Sequence, residues 1–101
     1  DSFLQRVFTE YERNYAWGRN KQAAASFAGI FAAKEACVKA LGTGFRHGSW
    51  QDIEISHDAW GAPVLTCTGY FGQQMKALGY ETMQVSISHC REYATSTVIV
   101  Y

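Results

Sequence analysis

One amphipathic segment constrains the fold more than any other part of the chain. Between Gln22 and Leu41, four apolar side chains recur at the spacing of one helix face: Phe27, Phe31, Val38 and Leu41. Gly42 follows at once, and glycine commonly ends a helix because it adopts the left-handed conformation at little steric cost. We therefore predict one long helix over residues 22–41, with its apolar face packed against the remainder of the fold.

Three charged residues interrupt this helix within the stretch FAAKEACVKALGTG, residues 31–44. At about 100° per residue, Lys34 falls within about 20° of the apolar line through Phe27, so its ammonium must reach past apolar neighbours or meet an anion. Glu35 lies at the border of the apolar face, and Lys39 lies one turn beyond it. The last two form either an ordinary surface ion pair or part of an anion site, and periodicity leaves both interpretations open.

The rest of the pattern predicts an α+β fold in which an antiparallel sheet packs against the long helix. Thr9 and Glu12 have the spacing of a capping box, so a short helix should begin there and end at Gly18, before a polar loop over residues 18–22. The other predicted elements follow in chain order: a strand at WQDIEIS (50–56), a turn with Gly61 and Pro63, a strand at VLTCT (64–68), a helix over 69–79 capped by Thr68, and strands at MQVSISH (83–89) and YATSTVIVY (93–101).

Length and charge narrow the class of protein. A chain of 101 residues fits one domain, spanning 1–101. Nine Lys and Arg balance nine Asp and Glu, so no broad positive field exists to bind nucleic acid. No apolar run approaches the ~18 residues of a membrane span. We expect a soluble, cytoplasmic protein in which any anion site is local.

The three cysteines, Cys37, Cys67 and Cys90, are odd in number and widely spaced. Disulfide frameworks use even counts at closer spacing, so we predict reduced thiols, with the first two packed in the interior. A zinc site formed by Cys90, His89 and distant partners lacks the usual ligand spacing. The I-S-H sequence that contains His89 also occurs at His57, for which we predict an ordinary surface or core role.

A carboxylate between two lysines suits a metal-bound polyphosphate. Mg²⁺ commonly binds one or two carboxylates together with substrate phosphates, and ammonium groups neutralise the remaining phosphate oxygens. Glu35 with Lys34 and Lys39 has this composition. Because one carboxylate holds Mg²⁺ weakly, the hypothesis requires a second one.

The motifs FAAKEACVK, DIEI, G-x-P and VSISH, in this order, resemble those of the holo-acyl-carrier-protein synthase type of 4′-phosphopantetheinyl transferase. The resemblance runs from about Phe3 to the C-terminus. It implies an enzyme that moves the 4′-phosphopantetheine arm of coenzyme A onto a serine of an acyl carrier protein, with Mg²⁺, and releases 3′,5′-adenosine bisphosphate. Fatty acid or polyketide synthesis would be the setting.

The resemblance also implies roles for individual residues. Glu35 would be a Mg²⁺ ligand that helps to deprotonate the serine, and Lys39 would contact phosphate and offset charge on the leaving group. The residues implied to bind coenzyme A are Lys34, Gly42, Thr43, Gly44, Ser88 and His89. The two glycines would let backbone amides approach the nucleotide closely.

The chain departs from the family pattern in three places. The family's second metal ligand, an aspartate in a G-x-D motif on an N-terminal strand, would precede Phe3, so we expect a longer parent protein that supplies this strand. Ile30 stands where relatives usually have an arginine that meets coenzyme A. The basic helix that docks the acidic carrier protein would also lie largely upstream, which leaves Arg6 and Arg13 as candidates.

Two assemblies and two activities follow from the resemblance. Free-standing relatives are homotrimers with active sites between subunits, whereas other members are embedded in a larger synthase. The alternative function is a catalytically inactive module of the same fold that binds coenzyme A or a carrier protein. The missing aspartate and Ile30 favour this alternative.

Overall fold

The computed structural model describes residues 2–42, 47–89 and 94–101. The described residues form four α-helices: α1 (Ser2–Val7), α2 (Glu10–Gly18), α3 (Ala23–Leu41) and α4 (Gly69–Ala77). They also form four strands: β1 (Ile53–His57), β2 (Pro63–Cys67), β3 (Met83–His89) and β4 (Ala94–Val100). Two short 3₁₀ turns, Asn20–Gln22 and Trp50–Asp52, precede α3 and β1. The α+β class predicted from the sequence is confirmed.

The long helix α3 begins and ends within one residue of the predicted bounds. Gly42 follows it with φ 71°, and its N–H donates to the carbonyls of Val38 and Lys39, as in a left-handed helix cap. The predicted capping box of α2 is present, since Thr9 Oγ1 accepts from the Glu12 amide and the Glu12 carboxylate accepts from the Thr9 amide. Helix α1 was not predicted, because its six residues are too few to establish a helical period.

The strands pair as two antiparallel hairpins, each forming its own two-stranded sheet. In the first, Ile53 lies opposite Cys67, and in the second, Met83 lies opposite Val100. The turn of the first hairpin is held by Asp58, whose Oδ1 accepts from the amides of Trp60 and Ala62. The antiparallel pairing is as predicted, but the strands divide between two sheets.

Helix α3 packs against both hairpins, and its buried face differs from the apolar stripe predicted above. Phe27 and Phe31 are only partly buried, whereas Ile30, Ala33 and Cys37 are at most 3% exposed. The small side chains allow the strands to approach closely, and the phenylalanines instead contact α1, α2 and the turn before β1. The buried core, against which the second hairpin packs, is formed by α3, the first hairpin, α4 and the end of α1: Val7, Phe8, Ile30, Ala33, Cys37, Val38, Leu41, Ile53, Ile55, Leu65 and Phe71.

A search of the described helices for a membrane span found none that combines the necessary length with sufficient apolar character. The apolar residues of α3 are used instead in contacts with the strands and with α2.

Candidate functional site

Lys34, which the sequence places near the apolar face, lies wholly inside the protein. Its side chain is 0% exposed and its ammonium has three partners. Nζ donates to the carbonyls of Val7 at 2.8 Å and Trp50 at 2.9 Å, and forms an ion pair with Glu12 Oε1 at 2.7 Å. An ammonium has three N–H donors, so these contacts use its whole hydrogen-bonding capacity.

Glu12 is the partner that sequence reasoning missed, although its place in the capping box turns the carboxylate toward the interior. Oε1 accepts from the Thr9 amide at 2.8 Å, and Oε2 accepts from the Ile55 amide at 2.7 Å. Burial raises the pKa of Glu12, and the attraction of Lys34 and these hydrogen bonds oppose the rise. Burial likewise lowers the pKa of Lys34, against the opposing effect of Glu12.

These contacts argue against the predicted role of Lys34 in coenzyme A binding. The anion that it needs is supplied by its own chain, because a buried ammonium is stable only when paired and hydrogen-bonded. Lys34 fixes α3 against α2 and against the turn that holds Trp50. It has no donor left for a phosphate.

Unlike Lys34, both Glu35 and Lys39 have side chains that are exposed to solvent. They lie four residues apart, on one side of the C-terminal half of α3. None of the ion pairs or side-chain hydrogen bonds found among the described residues involves either of them, so the ordinary surface pair considered above does not form. A carboxylate and an ammonium are thus both available on one face to a charged ligand.

A cleft lies between α1 and the segment that precedes β1, and two of the rings that line it contact α3. Phe31, one turn before Glu35, contacts the rings of Phe3 and Trp50 at centroid distances of 6.1 and 5.2 Å. Those two rings border a space of about 510 Å³, which is within the usual range for a ligand pocket. The cleft is also lined by Gln5, Arg6, Val7, Gly48, Ser49 and Gln51.

The other residues that the family resemblance implies as coenzyme A contacts lie next to, or within, the two internal ranges that the structure does not describe. Gly42 is exposed at the end of α3, and its φ of 71° suits glycine. Thr43 and Gly44 lie outside the described residues. Ser88 and His89 form the end of β3, opposite Thr95 and Ala94, and their side chains lie outside the described part of the protein.

Strand β3 runs antiparallel to α3. Its first residue, Met83, contacts Cys37 near the C-terminal end of the helix, whereas Ile87 shares a cavity with Gly29 and Ser26 near the N-terminal end. Measured along the axis of α3, the end of β3 is therefore farther from Glu35 than its first residue is. At 1.5 Å per helical residue, the end of β3 is about 13–20 Å along the axis from the face that carries Glu35 and Lys39.

Three other predicted residues have clear surroundings. Ile30 is 3% exposed and belongs to the core, so it offers no contact of the kind an arginine makes. His57 stacks on Tyr15 with 3.8 Å between ring centroids and bonds to the Tyr11 hydroxyl, so its ring packs against α2. Arg13 donates to the Phe8 carbonyl, whereas Arg6 is exposed beside the cleft.

The donor set determines what kind of metal site this face supports. No three His, Cys, Asp or Glu side chains come together as metal ligands anywhere in the described ranges. Glu35 is an exposed carboxylate one helical turn from the exposed Lys39 ammonium, and Mg²⁺ is commonly held by one or two carboxylates together with substrate phosphates. These residues fit a Mg²⁺ ion shared with a phosphorylated substrate and do not fit an all-protein metal cage.

Comparison with known proteins adds an independent observation. Residues 1–98 match the model of the 4′-phosphopantetheinyl transferase superfamily. The chain is 47% identical over 98 residues to the holo-[acyl-carrier-protein] synthase of Protochlamydia amoebophila, covering 96% of this chain and 77% of that protein. It is 42% identical over 97 residues to the synthase of Caldanaerobacter subterraneus, covering 96% and 76%.

Solved structures agree with these relatives. The holo-[acyl-carrier-protein] synthase of Helicobacter pylori in complex with coenzyme A superposes with a TM-score of 0.77 at 33% identity, covering 99% of this chain and 82% of that one. The synthase of Bacillus anthracis in complex with CoA (3′,5′-ADP) gives 0.79 at 37% identity, covering 99% and 80%. The synthase of Neisseria meningitidis gives 0.86 at 28% identity, covering 100% and 81%.

Proposed function

Because the chain belongs to the 4′-phosphopantetheinyl transferase superfamily, we propose that it modifies an acyl carrier protein. A serine oxygen of the carrier attacks the phosphorus next to the pantetheine, and a new Ser–O–P bond replaces the bond within the pyrophosphate of coenzyme A. The serine loses its proton, and 3′,5′-adenosine bisphosphate leaves. The observation that supports this most directly is the similarity of nearly the whole chain to synthases solved with coenzyme A.

The exposed pair on α3 supplies the charges that such a transfer needs. Lys39 offers an ammonium for the phosphate oxygens, which gain negative charge as the leaving group departs. Glu35 offers a carboxylate that accepts the serine proton, directly or through water. The cleft beside Phe31 gives room for part of the substrate next to these groups.

Glu35 also fits a role as a Mg²⁺ ligand, as argued from its exposure. When bound, Mg²⁺ neutralises phosphate charge and orients the pyrophosphate. Lys34 has no part in this proposal, because its donors are used inside the protein. We also propose that five other residues approach the nucleotide: Gly42, Thr43, Gly44, Ser88 and His89.

The test is transfer itself. Purified full-length protein is incubated with an apo acyl carrier protein, coenzyme A and Mg²⁺, and intact mass spectrometry measures the gain of the arm. We expect full conversion with Mg²⁺ and none when the metal is chelated. Binding of coenzyme A without transfer, under conditions in which a known transferase converts the same carrier, would instead support the inactive binding module.

The arrangement of β3 and α3 supports a site shared between subunits. The end of β3 lies about 13 Å from Glu35 and about 20 Å from Lys39 along the helix axis within one chain, which is far for groups proposed to hold one pyrophosphate. In a ring of identical subunits, the end of β3 in one copy can face α3 of the next. We propose a homotrimer in which each site combines Glu35 and Lys39 of one subunit with Ser88 and His89 of its neighbour.

Mixing two inactive variants tests the shared site. We expect Glu35→Gln and His89→Ala to be inactive as separate homotrimers, and to regain activity when co-expressed and purified together through two different tags. Each mixed trimer contains one site out of three that combines two intact halves, so activity should return to about one third of the wild-type value. A monomer in light scattering, or mixed oligomers without regained activity, would contradict the proposal.

A further inference from the structure

Three sulfur atoms from separate elements meet beneath the exposed face of α3. Cys37 lies on α3, Cys67 ends β2 and Met83 begins β3. Cys37 Sγ lies 3.6 Å from Cys67 Sγ and 4.0 Å from Met83 Sδ, and Cys67 Sγ lies 3.9 Å from Met83 Sδ. Both cysteines are free thiols. The three atoms therefore form a nearly equilateral triangle.

The size of this triangle matches a metal site. A point equidistant from three sulfurs about 3.8 Å apart lies about 2.2 Å from each, close to the metal–thiolate distance of about 2.3 Å. The sulfur atoms therefore already have nearly the separation that a bound ion requires. Three sulfurs in mutual van der Waals contact have similar separations as well, so the type of donor atom, together with this spacing, carries the assignment.

We propose that Cys37, Cys67 and Met83 form a three-sulfur site that binds one Cu(I) ion. Thiolate and thioether sulfurs are soft ligands of the kind that select Cu(I). Zn²⁺ prefers four ligands drawn from Cys, His, Asp and Glu. Among the residues that the structure describes, no third side chain of those types joins the two cysteines, so the donor set disfavours zinc.

The surroundings suit a site that is protected yet reachable. Cys37 is 0% exposed, whereas Cys67 and Met83 are partly exposed. Met83 also lines an outer cavity of about 390 Å³ together with Leu65 and Val85, which gives an ion a route from solvent.

Binding would join α3 to both hairpins. The Cu(I) ion replaces the proton of each cysteine that binds as thiolate, and that proton passes to solvent. No change in oxidation state is involved. Because a ligand that binds only the folded protein stabilises it, we expect the unfolding temperature to rise by about 5–10 °C when the site is saturated.

The experiment titrates reduced, metal-free protein with the Cu(I) complex of bicinchoninate under anaerobic conditions. We expect the protein to remove one equivalent of Cu(I) from the chelator. X-ray absorption should show three sulfurs at about 2.2–2.3 Å from the metal. Failure to remove Cu(I), a copper ion with only two sulfur neighbours, or tighter binding of Zn²⁺ than of Cu(I) would overturn the proposal.

The chain offers matched controls. Met83→Leu keeps the volume but removes the sulfur, and should weaken Cu(I) binding at least about tenfold. Met75→Leu makes the same change at the chain's other methionine, which packs against the core outside the cluster, and should leave binding unchanged. Cys90→Ser should also have no effect. Equal losses in both methionine variants, or loss on changing Cys90, would contradict the assignment of the three ligands.

Discussion

Replacing Glu35 with glutamine is expected to lower kcat for transfer by about 10²- to 10⁴-fold, the range found when a general acid–base group is removed. Glutamine keeps the shape and the exposure of the side chain, but it loses the charge that binds Mg²⁺ and accepts the serine proton. Substitutions at exposed positions usually change stability by less than about 0.5 kcal/mol. The unfolding temperature should therefore stay close to that of the unaltered protein.

Glu81→Gln is the matched control for this change, because Glu81 is also exposed but lies outside α3. Initial rates of apo carrier protein modification, followed by mass spectrometry across a range of Mg²⁺ concentrations, compare the two variants. We expect Glu81→Gln to be fully active. Unchanged turnover in Glu35→Gln would remove Glu35 from the mechanism, and a matching fall in thermal stability would show that its role is structural.

The second large effect, a loss of folding stability, is expected when the buried ion pair between Glu12 and Lys34 is broken. Glu12→Gln leaves the ammonium of Lys34 inside the protein without its carboxylate, and breaking such a pair typically costs about 3–5 kcal/mol. For a domain of this size, this loss corresponds to a fall of about 15–25 °C in the unfolding temperature. Thermal and urea unfolding of the purified variant measure it. A loss below about 1 kcal/mol would show that the pair is unimportant for stability.

A double variant separates the charge from the packing. Lys34→Met alone leaves the buried carboxylate of Glu12 with its bonds to the Thr9 and Ile55 amides, and should also destabilise the fold. Combining it with Glu12→Gln removes both charges, so the double variant should be more stable than the sum of the single losses predicts. Thr9→Ala serves as a control for the helix cap alone, at about 1 kcal/mol. Strictly additive losses would contradict the coupling.

The parts of the fold that were predictable are those set by local patterns. The period of α3, its Gly42 stop and the alternation in β1 to β4 depend on neighbouring residues, which the sequence displays directly. The division into two sheets depends on how the hairpins pack, and a local pattern carries no information on that. Helix α1 spans fewer than two turns, which is too short for a helical repeat of apolar residues to be recognised in the sequence.

The candidate site divides in the same way. Glu35 and Lys39 were predicted at the border of the apolar face and one turn beyond it, and both are exposed in the structure, because angular position follows from the helical period. The partner of Lys34 was not predictable, because Glu12 is distant in sequence and already had a sufficient local explanation as a capping residue. The meeting of Cys37 with Cys67 and Met83 likewise requires the packing of α3 on both hairpins.

Lys34 and Glu35 are consecutive residues of one rigid helix, so the contacts that fix the position of Lys34 also fix the position of Glu35. The ammonium of Lys34 is bonded to three separate segments, at Val7, Glu12 and Trp50, and these bonds oppose both rotation of α3 about its axis and sliding along it. A displacement of about 1 Å at a reacting group can lower a rate by about 10²-fold. We therefore expect the rate of transfer to fall, on heating, as soon as this internal network opens.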